Sequence, residues 1–292
     1  MHKFLRAIGF SNLKKKELEK IVSEIVEKPT MMTVAEDSEG NEFAELSKEF
    51  GNLFGIAVRG TYQEDDTFEV DYYYPYYHGT KVTTRESIEV DKHAEKESYA
   101  GICDEVKIGV TLIFYLQNIT DYLSAKKNRL PMNMQEGAIL SALSTEGKIL
   151  LPINKTQRQT RNIQKNSTDR NHLIAAAREG DEDAIENLTL EDMDTYSMLS
   201  KRIMNEDVLS IVDTYFMPYG IESDQYSVLA EIVDYSIVMN QYTNEKVYLL
   251  ELLCNDLEFS LCINQKDLLG EPEIGRRFKG NIWMQGHICY HN

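Results

Sequence analysis

Hydrophobic and polar residues alternate most regularly between Lys107 and Gln117. The apolar positions are every second residue, namely Ile108, Val110, Leu112, Phe114 and Leu116. Successive side chains of a strand point to opposite faces, so a period of two residues indicates a half-buried strand. We therefore predict an antiparallel strand here, with one face packed in a core.

A helical pattern lies near the beginning of the chain. Apolar residues recur at helical spacing, with lysine and glutamate between them, at Leu13, Leu18, Ile21, Val22, Ile25 and Val26. Pro29 follows, and proline cannot continue a helix. The pattern predicts an amphipathic helix over about 13–28 that packs on a sheet.

Short apolar runs between turn residues predict the other elements. The first half of the chain gives strands at 53–62, 68–77 and 87–91, a turn at Gly40, a short helix at 118–127, and a hairpin of 138–143 with 148–153 around Glu146 and Gly147. The polar run 154–171 predicts an exposed linker, followed by helices at 172–179, 181–188 and 189–205 and a strand or helix at 207–216. The last part gives strands at 226–239, 246–254, 257–263 and 277–290.

These elements predict an α+β fold in three segments. Residues 1–153 form a domain of one helix and an antiparallel sheet, and residues 154–220 form a basic linker with a helical connector. Residues 221–292 form a small, barrel-like antiparallel β module, because the strand at 226–239 has apolar residues at both parities.

Charge and composition narrow the classes of function. The 292 residues carry a net charge of -17, although 126–178 contains 10 basic and 3 acidic residues. This acidic excess opposes binding to nucleic-acid phosphates. The chain shows no signal peptide and no run of about eighteen apolar residues that would span a membrane, so we expect a cytoplasmic protein that does not bind membranes.

Motifs for catalysis and cofactor binding are missing from the sequence. The glycine-rich phosphate loops, the nucleophile elbow and the zinc-protease motif do not occur, and the four cysteines form no CxxC pair and are expected to be free thiols. We therefore expect no cofactor and no enzymatic activity.

Four stretches of the chain resemble a known protein family. They are Met1–Phe10, Ala176–Glu186, Tyr215–Gly220 and Gly275–Gly286. Together they resemble a family from Clostridia-type Firmicutes, the domain of unknown function numbered 3881, over nearly the whole chain. The resemblance implies a bacterial, cytoplasmic protein and supplies no functional residue.

The first candidate binding surface is a run of tyrosines around Pro75, which marks a strand edge. It contains Tyr72, Tyr73, Tyr74, Tyr76 and Tyr77. Tyrosine offers contact area at low entropic cost, so the run is a candidate platform for a sugar or a protein. The alternative is an edge strand half-buried against a helix.

The second candidate surface lies in the last predicted strand, where Arg276, Arg277 and Lys279 flank Phe278 and Trp283. Cations combined with stacking rings hold single-stranded nucleic acid in small barrels. Phe278 and Trp283 have opposite parity, so at least one belongs to a core, and we expect Trp283 in or beside it. The alternative is structural packing with a charged rim.

A weaker candidate is a metal site at His287, Cys289 and His291, which alternate and would share one face of a strand. A solvated terminus is the alternative.

The sequence favours a non-enzymatic binding or adaptor protein that acts through protein–protein contacts with an unidentified partner. The alternative is a nucleic-acid-associated regulator that uses the last module and the basic linker. A hydrolase without a recognised motif is the third hypothesis, and the oligomeric state is left open.

Overall fold

The computed structural model describes residues 1–292 except 93–97, 106, 129–134, 154–171, 178–179, 191–192, 194–207, 222 and 291–292. The described chain consists mainly of β-strands with few helices. The predicted combination of helix and antiparallel sheet is therefore confirmed in outline.

The smaller sheet, sheet A, is an antiparallel meander in the order β1-β2-β3-β4. Its strands are β1 (Met31–Glu36), β2 (Glu42–Gly51), β3 (Phe54–Tyr62) and β4 (Phe68–Tyr77). Gly40 has a φ of 92° in the turn between β1 and β2, so the turn predicted there is confirmed. The sequence pattern did not reveal β1 and β2 themselves.

The larger sheet, sheet B, combines strands from both ends of the chain. Its strands are β5 (Glu89–Lys92), β6 (Tyr99–Glu105), β7 (Val110–Leu116), β8 (Gln135–Leu150), β9 (Tyr215–Pro218), β10 (Gln225–Met239), β11 (Lys246–Cys254), β12 (Leu257–Asn264), β13 (Leu268–Leu269) and β14 (Arg277–Tyr290). Most pairs are antiparallel, whereas β8 pairs in parallel with β12 and β13, and β14 with β7.

Five strands of sheet B form a closed cycle of hydrogen-bonded pairs, in the order β8, β12, β11, β10, β14 and back to β8. Strand β14 closes the cycle because it pairs with β8 along its length and with β10 along its first half. Beyond β10, it pairs with β7 at Gln285 and Gly286. The predicted segment 221–292 thus shares its sheet with β7 and β8 of the segment 1–153.

The two faces of these strands are buried in two hydrophobic cores. The first, the inner core, contains one face of the cycle and buries Phe114, Leu250 and Phe278. The second, the intersheet core, lies between the opposite face and sheet A and includes Ile56 and Trp283. Phe278 and Trp283 have opposite parity on β14 and therefore enter different cores, so both are buried.

Helices cover parts of the two sheets. A 3-10 helix (Lys3–Arg6) and α1 (Lys15–Glu27) pack into the intersheet core, and α2 (Ile119–Lys127) follows β7. Residues 172–177 and 182–190 are helical, and Val208–Ile211 is one turn. Of the helices in the described ranges, none has the length and apolar character needed to cross a bilayer.

The hairpin predicted from 138–143 and 148–153 is wrong, because one strand, β8, runs from Gln135 to Leu150. Gly147 lies within this strand and does not form a turn. A Cβ atom at Gly147 would lie 2.4 Å from Cε2 of Phe278, so the glycine makes room for that ring in the inner core.

The predicted linker 154–171 and most of the helix predicted at 189–205 lie outside the described residues, and the boundaries at 153 and 220 stay predictions. The helix predicted at 118–127 and the strands predicted at 226–239, 246–254, 257–263 and 277–290 are confirmed to within one residue at each end.

Phe114 is held between two glycines, which generates a stability prediction. A Cβ atom would lie 2.4 Å from the ring at Gly286 and 2.2 Å from it at Gly101, so the ring cannot move aside in either direction. We expect Gly286→Ala to lower the free energy of unfolding by about 1–3 kcal/mol, measured by urea denaturation. Combining it with Phe114→Leu should cost less than the sum of the two single changes. Additive costs would show that the ring is not confined in this way.

Candidate functional site

The predicted tyrosine run lies on β4 and is largely buried. Tyr74, Tyr76 and Tyr77 are buried, and only Tyr72 and Tyr73 are half-buried. The five rings therefore do not form a common exposed platform. β4 is an edge strand of sheet A, as the alternative interpretation predicted, but its buried rings pack in the intersheet core and are not merely half-buried against a helix.

Arg59 on β3 is the polar group around which these tyrosines are arranged. Its side chain is fully buried, and Nε donates to Glu45 at 2.5 Å. The other guanidinium nitrogens donate to the hydroxyls of Tyr72 (3.0 Å), Tyr74 (2.9 Å) and Tyr115 (2.7 Å) and to the carbonyls of Leu116 (3.2 Å) and Gln117 (2.6 Å). The group is therefore satisfied by β2 and β4 of sheet A and by β7 of sheet B.

The electrostatics of this cluster keep the guanidinium charged. Burial opposes the charge, but the adjacent Glu45 carboxylate raises the pKa of Arg59 well above its ordinary value. Burial also raises the pKa of Tyr74 and Tyr115, so both phenols stay protonated. This arrangement fixes the two sheets against each other.

A second polar network continues from Gln117 to β14. The Gln117 side-chain amide donates to Gln285 Oε1 at 2.9 Å and to the Tyr77 carbonyl at 2.9 Å. Its oxygen lies 3.0 Å from Nδ1 of His78, which is half-buried. Burial lowers the pKa of His78, so this imidazole is neutral near pH 7.

The predicted metal site receives no support from the described residues. His287 is half-buried, and its Nε2 lies 3.5 Å from the Asn118 amide nitrogen, while Cys289 is a half-buried thiol whose pKa is raised by burial. The described ranges contain no group of three His, Cys, Asp or Glu side chains placed to hold a metal ion. His291 lies outside them.

Two of the three predicted basic residues are engaged within the chain. Arg277 is buried and donates to the carbonyls of Leu151, Val212 and Leu209, and Arg276 forms an ion pair with Glu273 at 2.8 Å. Arg277 therefore ties β14 to the segments at 151 and 209–212 and is not presented to a ligand.

Trp283 is buried, as predicted, and not available for stacking on a base. Its ring lies 5.2 Å from that of Phe4 and 4.8 Å from that of His2, and its N–H donates to Asp224 at 2.7 Å. Burial lowers the pKa of His2 to about 4. The prediction that Trp283 lies in or beside a core is confirmed.

Lys279, the third basic residue, lines a cleft that we name the lysine cleft. Its volume is about 330 Å³. The walls are formed by Glu146, Gly147, Lys148, Ser227, Asp267, Leu269, Lys279, Gly280 and Asn281. The sequence pattern indicated Lys279 but not its neighbours, because they come from four strands and from the 3-10 helix Gln265–Asp267.

An exposed apolar strand segment is the feature that sequence reasoning did not identify. Tyr235, Ile237 and Met239 alternate on one face of β10 and are 37%, 51% and 45% exposed. Among the described strands, β11 alone pairs with this segment of β10, since the pairing of β10 with β14 ends at Glu231. We name the unpaired side of Asp234–Met239 the free edge.

The hydrogen-bond pattern shows which backbone groups point outward. Asn240 N–H donates to the Glu245 carbonyl in the hairpin. Because alternate residues of an antiparallel strand bond the same neighbour, the even-numbered residues of β10 that follow the bulge at 233 form their backbone hydrogen bonds with β11. Tyr235, Ile237 and Met239 therefore direct their backbone groups to the free edge. Tyr235 N–H donates to the Asp234 carboxylate at 2.8 Å. No described residue bonds the outward groups of Ile237 and Met239.

Acidic side chains lie near the free edge. Glu251 on β11 is the cross-strand neighbour of Asp234. The Glu251 carboxylate interacts electrostatically with the carboxylate of Glu258 and with the ammonium group of Lys81. Glu251 is half-buried, and burial raises its pKa. On the even-numbered face, Asp234 and the neighbouring Glu251 are acidic, whereas Val238 packs against the intersheet core. The exposed residues of the odd-numbered face are apolar.

Comparison with known proteins identifies a family. The family model described as "Domain of unknown function, E. rectale Gene description (DUF3881)" matches residues 5–286. The chain therefore belongs to this family, as its resemblance indicated. No curated protein and no solved structure matches the chain.

The Arg59 cluster yields a prediction about stability. Arg59→Met should lower the free energy of unfolding by about 3–5 kcal/mol, because it leaves Glu45 and three phenols without their buried partner. Arg276→Met is the matched control, and its exposed ion pair is worth at most about 1 kcal/mol. Urea denaturation of both variants measures the difference. Equal costs would contradict a central role for Arg59.

The half-buried His2 yields a prediction about pH. Because its pKa falls from 6.5 to about 4 on folding, the unfolded chain binds the proton more tightly. Stability is then fully present above pH 6.5 and is lost as the pH falls towards 4.

In His2→Phe, this loss between pH 6.5 and 4 should shrink by as much as about 3 kcal/mol. The variant should keep a smaller dependence of stability on pH, because burial also lowers the pKa values of His78 and His287. Exposed His172, changed to Gln, serves as the control. If His2→Phe lost as much stability between pH 6.5 and 4 as the wild type does, the role of His2 in this pH dependence would be refuted.

Proposed function

We propose that this DUF3881 protein is a non-enzymatic binding protein that receives an extended segment of a partner protein at the free edge of β10. The observation that carries this proposal is the exposed strand Asp234–Met239, which pairs with β11 on one side only. An edge with unpaired N–H and C=O groups is a template for an added strand.

The two faces of the edge specify the pattern of the partner segment. On one face, the side chains of an added strand would cover the exposed, apolar Tyr235, Ile237 and Met239. Those on the other face would meet Asp234 and the half-buried Glu251. We therefore propose a segment in which apolar and basic residues alternate, since cross-strand pairs of opposite charge are favourable.

The proposal fits the rigid support of the edge. The hairpin that follows β10 is anchored by Asn240, whose amide donates to the Ile8 carbonyl at 2.7 Å, and by Gln241 N–H, which donates to the Phe50 carbonyl at 2.7 Å. A fixed edge loses little conformational entropy when a strand is added. We also propose that the cycle of five strands behaves as a small barrel that carries this edge.

The alternative as a nucleic-acid-associated regulator is less well supported. Its predicted contact residues Arg277 and Trp283 are buried, and the net charge of -17 opposes phosphate backbones.

A peptide titration tests the proposed function. The probe is a short peptide in which valine and lysine alternate, and the control peptide replaces lysine by glutamate. We expect only the valine–lysine peptide to slow hydrogen exchange of the Ile237 and Met239 amides, measured by NMR, because these outward N–H groups would gain a partner.

Two variants separate backbone pairing from side-chain contact. Ile237→Pro removes the outward N–H while the ladder to β11 is kept, and Ile237→Ala removes only the side chain. Binding of the valine–lysine peptide should fall further in Ile237→Pro than in Ile237→Ala. Equal binding of both variants, or protection of these amides by pairing of two copies of the chain without peptide, would overturn the proposal.

A further inference from the structure

We propose that the lysine cleft binds a small molecule that carries a phosphate group. This site is separate from the free edge, because it uses the first half of β10 together with β8, β13 and β14. It adds a small ligand to a protein whose proposed partner is a polypeptide, and neither proposal depends on the other.

The strongest observation is a cross-strand pair of like charges. Lys148 on β8 and Lys279 on β14 are directly opposite in the antiparallel register, so their side chains share one face. Like charges in this position destabilise a sheet. Neither lysine forms an ion pair with any residue of the described ranges, although the chain as a whole is strongly acidic.

The carboxylates of the cleft are already engaged by other groups. Asp267 accepts from Nε of Arg6 at 2.6 Å, and Glu146 accepts from the side-chain amide of Asn281 at 2.5 Å. With Asp267 neutralised by Arg6, the lining carries one carboxylate against two ammonium groups. A bound anion would remove the repulsion between the lysines.

The number of donors indicates the ligand class. A phosphate monoester has three acceptor oxygens, so one such group can accept from both ammonium groups and from a further donor, whereas a carboxylate has two oxygens. The hydroxyl of Ser227 adds a donor, and Leu269, which is 65% exposed, adds an apolar wall. The volume of about 330 Å³ suits a small phosphorylated molecule and lies in the range of ligand pockets.

The test compares three probes on the full chain, namely phenyl phosphate, benzoate and inorganic phosphate. Phenyl phosphate should bind and raise the melting temperature, benzoate should bind at least about tenfold more weakly, and inorganic phosphate should fall between them because it lacks the apolar ring. Amide resonances of Lys279 and Asn281 should shift on titration. Similar affinity for phenyl phosphate and benzoate would overturn the phosphate assignment.

Charge-neutralising variants locate the site. Lys148→Gln and Lys279→Gln should each weaken phenyl phosphate binding by about tenfold or more, whereas Lys16→Gln, on the exposed side of α1, should leave it unchanged. Without ligand, Lys279→Gln should melt at the same or a higher temperature than the wild type, because it removes a like-charge pair. Equal binding by all three variants would overturn the proposal, as would an absence of binding by the folded wild-type protein.

Discussion

The buried guanidinium of Arg59 is the interaction on which the arrangement of the two sheets depends. It is a charge without access to water, so its position is tolerable only while its hydrogen bonds are complete. Glu45 and Tyr74 supply them from sheet A, and Tyr115 and the Gln117 carbonyl supply them from sheet B. Any sliding of one sheet over the other would break several of these bonds at once. Apolar packing alone would permit such sliding, because it is not directional.

The polar network around Gln117 extends this constraint to β14. Gln117 and Gln285 are both buried and bond each other as well as backbone groups of β4, so the end of sheet A is fixed to the strand that closes the cycle in sheet B. The binding surfaces proposed above lie on strands held by these contacts. A rigid support is what an edge strand or a charged cleft needs in order to bind without large entropic loss.

The elements that the sequence predicted well are those whose burial follows one simple period. Strand β7 alternates because Leu112 and Phe114 face the inner core, and α1 shows its buried stripe at Leu18, Ile21 and Ile25. Strands β1 and β2 lack such a pattern. In β8, Gly147 resembles a turn residue and so predicts a hairpin, although this glycine serves close packing with Phe278.

The sites were less predictable, because they depend on which strands become neighbours. An arginine within a strand has the appearance of a surface residue, so Arg59 gave no local signal. Its only trace is the register that places it opposite Tyr72 in adjacent strands. The lysine cleft likewise requires knowledge that β8 and β14 pair. The tyrosine run is conspicuous in the sequence by its composition, but the charged Arg59 that these rings surround lies in a different strand.

Strand β14 also determines the order in which the chain can fold. It is synthesised after β7, β8 and β10, yet all three pair with it. Until it arrives, the cycle is open and the apolar faces of β8 and β10 have exposed edges. Pairing between strands that are far apart in the sequence is slow, because the chain loses the entropy of loop closure before the contacts that offset this loss can form. A ribosome-bound chain of this protein therefore carries open, aggregation-prone strand edges until β14 has emerged, and such edges are substrates for chaperones.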